Sequence, residues 1–121
     1  MSKCILVVDD EEDVRALIQL GLEMQADWKV LNASSGEEAI AIATNEQPDI
    51  ILLDLMMPDM DGKTTLQKLK ANSITKQIPV ILMTAKSKYS VEESFANSGV
   101  TAIFTKPLRP LTLAQEISKF L

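Results

Sequence analysis

Six residues of this chain are of types that do chemistry, and their spacing groups them: Asp9, Asp10, Asp54, Met56, Thr84 and Lys106. They stand just beyond four apolar runs, at residues 5–8, 50–53, 80–83 and 102–105. If these runs are parallel strands of one sheet, their carboxyl ends share a rim. Three carboxylates, a hydroxyl and an ammonium then meet there. Hard divalent cations such as Mg²⁺ take oxygen ligands in near-octahedral geometry and keep several waters. Asp10, Asp54 and a backbone carbonyl after the third strand suit such an ion, with Asp9 reaching it through water.

The same set suits phosphoryl transfer to a carboxylate, which needs an in-line nucleophile, a cation and donors for the charge on the remaining oxygens. Asp54 is the candidate nucleophile, and Thr84 and Lys106 are the candidate donors, with backbone N–H groups after strands three and four. Plainer readings exist for the parts. Residues 9–13 form an acidic run of the kind favoured at a helix N-terminus, Thr84 alone can be structural, and Lys106 alone can be a solvated lysine. Asp54 has no capping explanation, however, and Lys106-Pro107 is an unusual strand ending. Three carboxylates without a metal repel one another, so at least one is expected to titrate high, with Lys106 offsetting part of the repulsion.

To position these groups the chain must alternate strands and helices. A segment from Asp13 to Met24 places Val14, Leu17, Ile18, Gly21 and Leu22 on one face at helical spacing. Gly21 there allows close approach to the sheet. Residues 28–31 read as a short second strand, followed by Ser35-Gly36-Glu37-Glu38, a capping box, and a helix through Ala39, Ile40, Ile42 and Ala43. The third strand leads through a loop with Pro58 and Gly62 to a helix burying Leu66 and Leu69. Ser90-Val91-Glu92-Glu93 is a second capping box before a helix ending near Gly99. Pro110 suits the first turn of a last helix, whose Leu113, Ile117, Phe120 and Leu121 face the sheet. Five such units predict an α/β fold, (βα)5, with a doubly wound parallel sheet in the flavodoxin-like order 2-1-3-4-5. Its switch point lies between strands one and three, where the acids are.

Composition narrows the chemistry. The 121 residues fit one domain, residues 1–121, with no room for an output domain. The chain has no histidine, which excludes Ser-His-Asp and Cys-His nucleophiles, zinc proteases and histidine phosphocarriers. A net charge of −5 argues against nucleic-acid binding. No apolar stretch approaches the ~20 residues that span a bilayer, and the N-terminus lacks a signal peptide's pattern, so a cytoplasmic location is expected. Cys4, the only cysteine, is expected to be a buried, inert thiol.

These residues resemble the receiver domains of two-component response regulators, of which the chemotaxis receiver is a single-domain member. Four motifs in order carry the resemblance: Ile-Leu-Val-Val-Asp-Asp-Glu at 5–11, Asp-Ile-Ile-Leu-Leu-Asp-Leu-Met-Met-Pro-Asp-Met-Asp-Gly at 49–62, Pro-Val-Ile-Leu-Met-Thr-Ala at 79–85, and Thr-Lys-Pro-Leu at 105–108. The resemblance implies that Asp54 accepts phosphate from a histidine kinase or histidine phosphotransfer protein. It further implies Mg²⁺ bound by Asp10, Asp54 and the Met56 carbonyl, with Asp9 through water, and phosphoryl contacts from Thr84 and Lys106. A cis peptide before Pro107 is implied as well. Such a protein is no metabolic enzyme. It catalyses its own phosphorylation and dephosphorylation and signals through a surface of the last strand, the last helix and the helix before them, read by a downstream target.

The chain departs from the family's pattern at Ile103, where the family commonly has an aromatic that rotates inward. Phe104 lies next to it and, on a strand, points to the opposite face. Switching then relies on Thr84 and the loop from Ala85 to Ser90, with Tyr89 a possible substitute aromatic. Met56 and Lys86 occupy positions that influence dephosphorylation in the family, and neither is a general base at neutral pH. A long-lived phosphoryl form is expected. A flavin mononucleotide protein of this topology would want a Ser/Thr/Gly-rich loop where Asp9-Asp10-Glu11-Glu12-Asp13 stands. A phosphohydrolase would need an acid or base for its second step. A receiver that binds partners without phosphorylation would not need the full set of side chains.

Overall fold

The computed structural model describes residues 3–57, 60–85, 95 and 99–121. Five strands, β1 (Cys4–Val8), β2 (Lys29–Ala33), β3 (Ile50–Asp54), β4 (Val80–Thr84) and β5 (Ala102–Thr105), pair in parallel in the order β2-β1-β3-β4-β5. The described helices are α1 (Glu12–Gln25), α2 (Gly36–Glu46), α3 (Gly62–Ala71) and α4 (Pro110–Ser118). The expected order 2-1-3-4-5 is the observed one. The helix expected after Ser90 lies outside the described residues.

β1, β3 and β4 are central strands, and their side chains are buried on both faces, as near-continuous aliphatic runs require. Alternation divides them. Leu6, Val8, Ile51, Leu53, Leu82 and Ile103 pack with α2 and α3, while Ile5, Val7, Ile50, Leu52, Ile81 and Met83 pack with α1 and α4. Phe104 belongs to this second face and meets Phe120 with ring centroids 6.4 Å apart. Ile103 and Phe104 therefore lie on opposite faces, as the period of a strand demands. Trp28 packs on the second face from its place just before β2.

Several expectations change in detail. β2 runs two residues beyond Leu31, pairing through Val7↔Asn32 and Val8↔Ala33. An apolar pattern misses this because Asn32 continues the ladder with a polar side chain. In α1, Ile18, Gly21 and Leu22 are buried but Leu17 is 53 % exposed. The sheet covers a narrow arc of the helix, and Leu17 falls outside it. Gly21 permits close approach to α4 rather than to the sheet, since a Cβ there would lie 2.7 Å from the Pro110 carbonyl oxygen. Leu121 is 41 % exposed because α4 ends at Ser118 and its helical phase stops there. Cys4 is half-buried. Burial pushes its thiol pKa up, with Lys29 opposing and Asp49 and Glu46 adding.

The helix ends obey local chemistry. Ser35 caps α2 by accepting a hydrogen bond from the Glu38 N–H at 3.1 Å, and the Glu38 carboxylate reaches back to the Ser34 N–H at 3.1 Å. Pro110 occupies the first turn of α4, and Lys106-Pro107 is cis. No helix among the described residues is long and apolar enough to cross a membrane. Ser35→Ala should lower unfolding free energy by about 1 kcal/mol in urea denaturation, leaving the fold intact by circular dichroism.

Candidate functional site

The loop leaving β1 is built around Asp9. Its carboxylate is fully buried, and each oxygen accepts a hydrogen bond. Oδ1 accepts from the Glu11 N–H at 2.9 Å, and Oδ2 accepts from Lys106 Nζ at 2.9 Å. The Asp9 N–H donates to the Ala33 carbonyl at 3.1 Å, and the Asp9 carbonyl accepts from Arg15 Nη1 at 2.6 Å. Asp10 follows as an exposed residue. The acidic run at 11–13 opens α1 without a side-chain cap and places Glu12 and Asp13 in the first turn, where the helix dipole favours them.

β3 ends at Asp54, which is 3 % exposed. Its Oδ1 accepts from the Met56 N–H at 3.2 Å and lies 3.3 Å from Lys106 Nζ. The chain then turns back, and the Gly62 N–H donates to the Leu55 carbonyl at 3.0 Å. A Cβ on Gly62 would stand 2.5 Å from the Asp54 carbonyl oxygen and 2.7 Å from Leu55 Cα, so only glycine fits this approach of backbone to backbone. Asp61 fixes the start of α3 by accepting from the Thr64 N–H at 2.8 Å. That bond holds the Asp61 carboxyl below the usual carboxylate range.

β4 delivers Thr84, which is 1 % exposed. The Lys106 N–H donates to the Thr84 carbonyl at 2.7 Å, joining the ends of β4 and β5. Lys106 is thus anchored by its backbone beside Thr84 and by its ammonium between Asp9 and Asp54. Met56 is 62 % exposed at the rim. Lys86 and Tyr89 lie outside the described residues.

Asp9, Asp10 and Asp54 each offer a carboxylate oxygen, and these atoms all lie within 4.8 Å of one another. Hard oxygen donors at that separation fit a Mg²⁺ site. The electrostatics agree with such crowding. Burial, then the Asp9 charge, pushes the Asp54 carboxyl above its usual range, with Lys106 and the Met56 N–H opposing. For Lys106, burial favours the neutral amine, but Asp9 and Asp54 together outweigh it and hold the ammonium's pKa above the ordinary value.

A family model for the response regulator receiver domain matches residues 5–118. The chain belongs to the response regulator receiver domains. The receiver is 35 % identical over 121 residues to the phosphate regulon transcriptional regulatory protein PhoB of Pseudomonas aeruginosa, and 42 % identical over 113 residues to the response regulator PleD of Caulobacter vibrioides. It spans 52 % of the first and 25 % of the second, while those matches cover 100 % and 93 % of this chain. The structure of the chemotaxis protein CheY4 of Vibrio cholerae matches it with a TM-score of 0.92 at 26 % identity, each chain covered completely.

Two residues of the receiver's site escape a reading by motif chemistry. Gly62 looks like a loop glycine until its distance to Asp54 is known. Arg15 looks like a helix-surface cation, although it is the one cation between Lys3 and Lys29 and follows an acidic run. Asp54 makes the stability of the fold depend on pH. Its folded-state pKa is raised above the unfolded value near 3.9. Below the unfolded value the carboxyl is protonated in both states and carries no penalty. As pH rises through the folded pKa, stability is lost. Asp54→Asn should therefore raise the melting temperature of the metal-free protein at pH 7, and the gain should vanish as the pH falls below about 4.

Proposed function

We propose that this receiver takes a phosphoryl group onto Asp54, in a Mg²⁺-dependent step, from a phosphohistidine on a histidine kinase or histidine phosphotransfer protein. One observation carries the reading. A buried carboxylate at a strand end stands within 4.8 Å of two further carboxylates and 3.3 Å from an ammonium. The absence of histidine from the chain fits a donor imidazole that belongs to a partner.

Asp54 Oδ1 is held by the Met56 N–H and Lys106, so Oδ2 is the oxygen presented for attack. It would form the new O–P bond as the N–P bond of the donor breaks and its electron pair returns to the imidazole. Mg²⁺, held by Asp10, Asp54 and the Met56 carbonyl with Asp9 through water, would neutralise charge on the phosphoryl oxygens. Asp9 suits the outer role because protein donors already take both of its oxygens. Lys106 and Thr84 would hold the phosphoryl oxygens, and Asp9 keeps the ammonium in reach of them. The receiver then acts as a signalling unit rather than a metabolic enzyme, and its output is a changed surface read by a downstream protein.

The donor's approach has a suitable margin. Lys106 borders an apolar groove of about 380 Å³ lined by Val14, Leu17, Ile18, Leu108 and Leu113. Leu17, Leu20 and Met24 of α1 and Leu111 of α4 are exposed. This surface, continuous with the site through Lys106, would seat the donor protein.

Incubation with a small-molecule phosphodonor should add one phosphoryl mass in the presence of Mg²⁺, and none without Mg²⁺ or in Asp54→Asn, by intact mass spectrometry. Addition to Asp54→Asn at the wild-type rate would overturn the assignment. Water attacking the phosphoryl group finds no general base in Met56, whose apolar side chain sits at the rim. Met56→Asn, which can orient a water, should shorten the phosphoryl lifetime several-fold in the same assay. An unchanged lifetime would remove Met56 from the account.

A further inference from the structure

Arg15 has no part in the chemistry above, yet it makes the shortest bond to the β1–α1 loop. It stands in the first turns of α1, half-buried, six residues past Asp9. Its Nη1 donates to the Asp9 carbonyl at 2.6 Å, a short bond whose donor carries the charge. That carbonyl belongs to the peptide joining Asp9 to Asp10. Fixing this plane fixes the direction in which Asp10 leaves the strand.

The other bonds to the loop do not do this. The Asp9 N–H to the Ala33 carbonyl holds the preceding peptide, and the Glu11 N–H and Lys106 hold the Asp9 side chain. Asp10 itself is exposed. Among the described residues, only the guanidinium ties down the Asp9–Asp10 peptide from its carbonyl side.

We propose that Arg15 is a positioning residue that sets the affinity of the acidic site for a divalent cation by locking the Asp9–Asp10 peptide plane. The proposal rests on the Mg²⁺ reading of the site. It also opposes simple electrostatics. A cation near an acidic cluster repels Mg²⁺, so deleting Arg15 would tighten binding if its charge were what mattered. Freeing the peptide plane lets the Asp10 carboxylate wander and weakens binding. Outer-shell partners of metal ligands commonly contribute about 10–100-fold in affinity. The two accounts thus differ in sign.

The test is isothermal titration of Mg²⁺ into wild type, Arg15→Met, Arg15→Lys and Lys76→Met, well below each melting temperature, with a chemical melt of each variant. Lys76 lies in the α3–β4 connection and controls for net charge. Arg15→Met should bind Mg²⁺ about 10-fold more weakly, Arg15→Lys should recover part of the loss, and Lys76→Met should match wild type. Phosphorylation of Arg15→Met by a small donor should approach the wild-type maximum when Mg²⁺ is raised, placing the defect in ion binding. Unchanged or tighter Mg²⁺ binding by a folded Arg15→Met overturns the proposal. Failure of wild type to bind Mg²⁺ would instead remove the reading beneath it.

Discussion

One lysine holds three strand ends together, two through its ammonium and one through its peptide N–H. Lys106 Nζ reaches Asp9 from β1 and Asp54 from β3, while its own peptide donates to Thr84 at the end of β4. Parallel strands place their carboxyl ends on one rim, and the order 2-1-3-4-5 opens a crevice there. Like charges collected in such a crevice raise the folded state's energy, and the fold tolerates them because a cation fastened from the far strand lies between them. The β3–α3 turn at Gly62 and the β1–α1 loop around Asp9 are then shaped by the need to keep two acids close without contact.

The ion pairs with Lys106 also explain why the site is buried and hydrogen-bonded at Asp9 and exposed at Asp10. Burying a carboxylate is tolerated when its hydrogen-bonding capacity is filled. Each Asp9 oxygen accepts one hydrogen bond, from the Glu11 N–H and from Lys106. Asp10 remains exposed and keeps its hydration. The crevice thus holds one hydrogen-bonded acid, one solvated acid and one acid of raised pKa.

Much of this was legible in the sequence. The central strands announced themselves because strands covered on both faces must be aliphatic throughout, and the acids at their ends have no role in such a core. The alternation of Ile103 and Phe104 followed from the two-residue period. Legibility failed where a feature depends on approach between segments. Asn32 hid the end of β2, because an edge strand accepts polar side chains. Leu17 matched the helical stripe but fell outside the arc the sheet covers. Gly21 was rightly marked as a close-contact residue, yet its neighbour proved to be Pro110. Arg15 and Gly62 have ordinary identities and acquire meaning from distances alone.

The single tryptophan has a consequence for observing this molecule. Trp28 sits just before β2, beside the start of the sheet, where the Lys29 N–H meets the Lys3 carbonyl. The acids lie at the other end, a strand's length of roughly 16 Å away. The Trp28 indole emission reports on its own end of the fold, so following events at the acids by tryptophan fluorescence calls for a tryptophan introduced there.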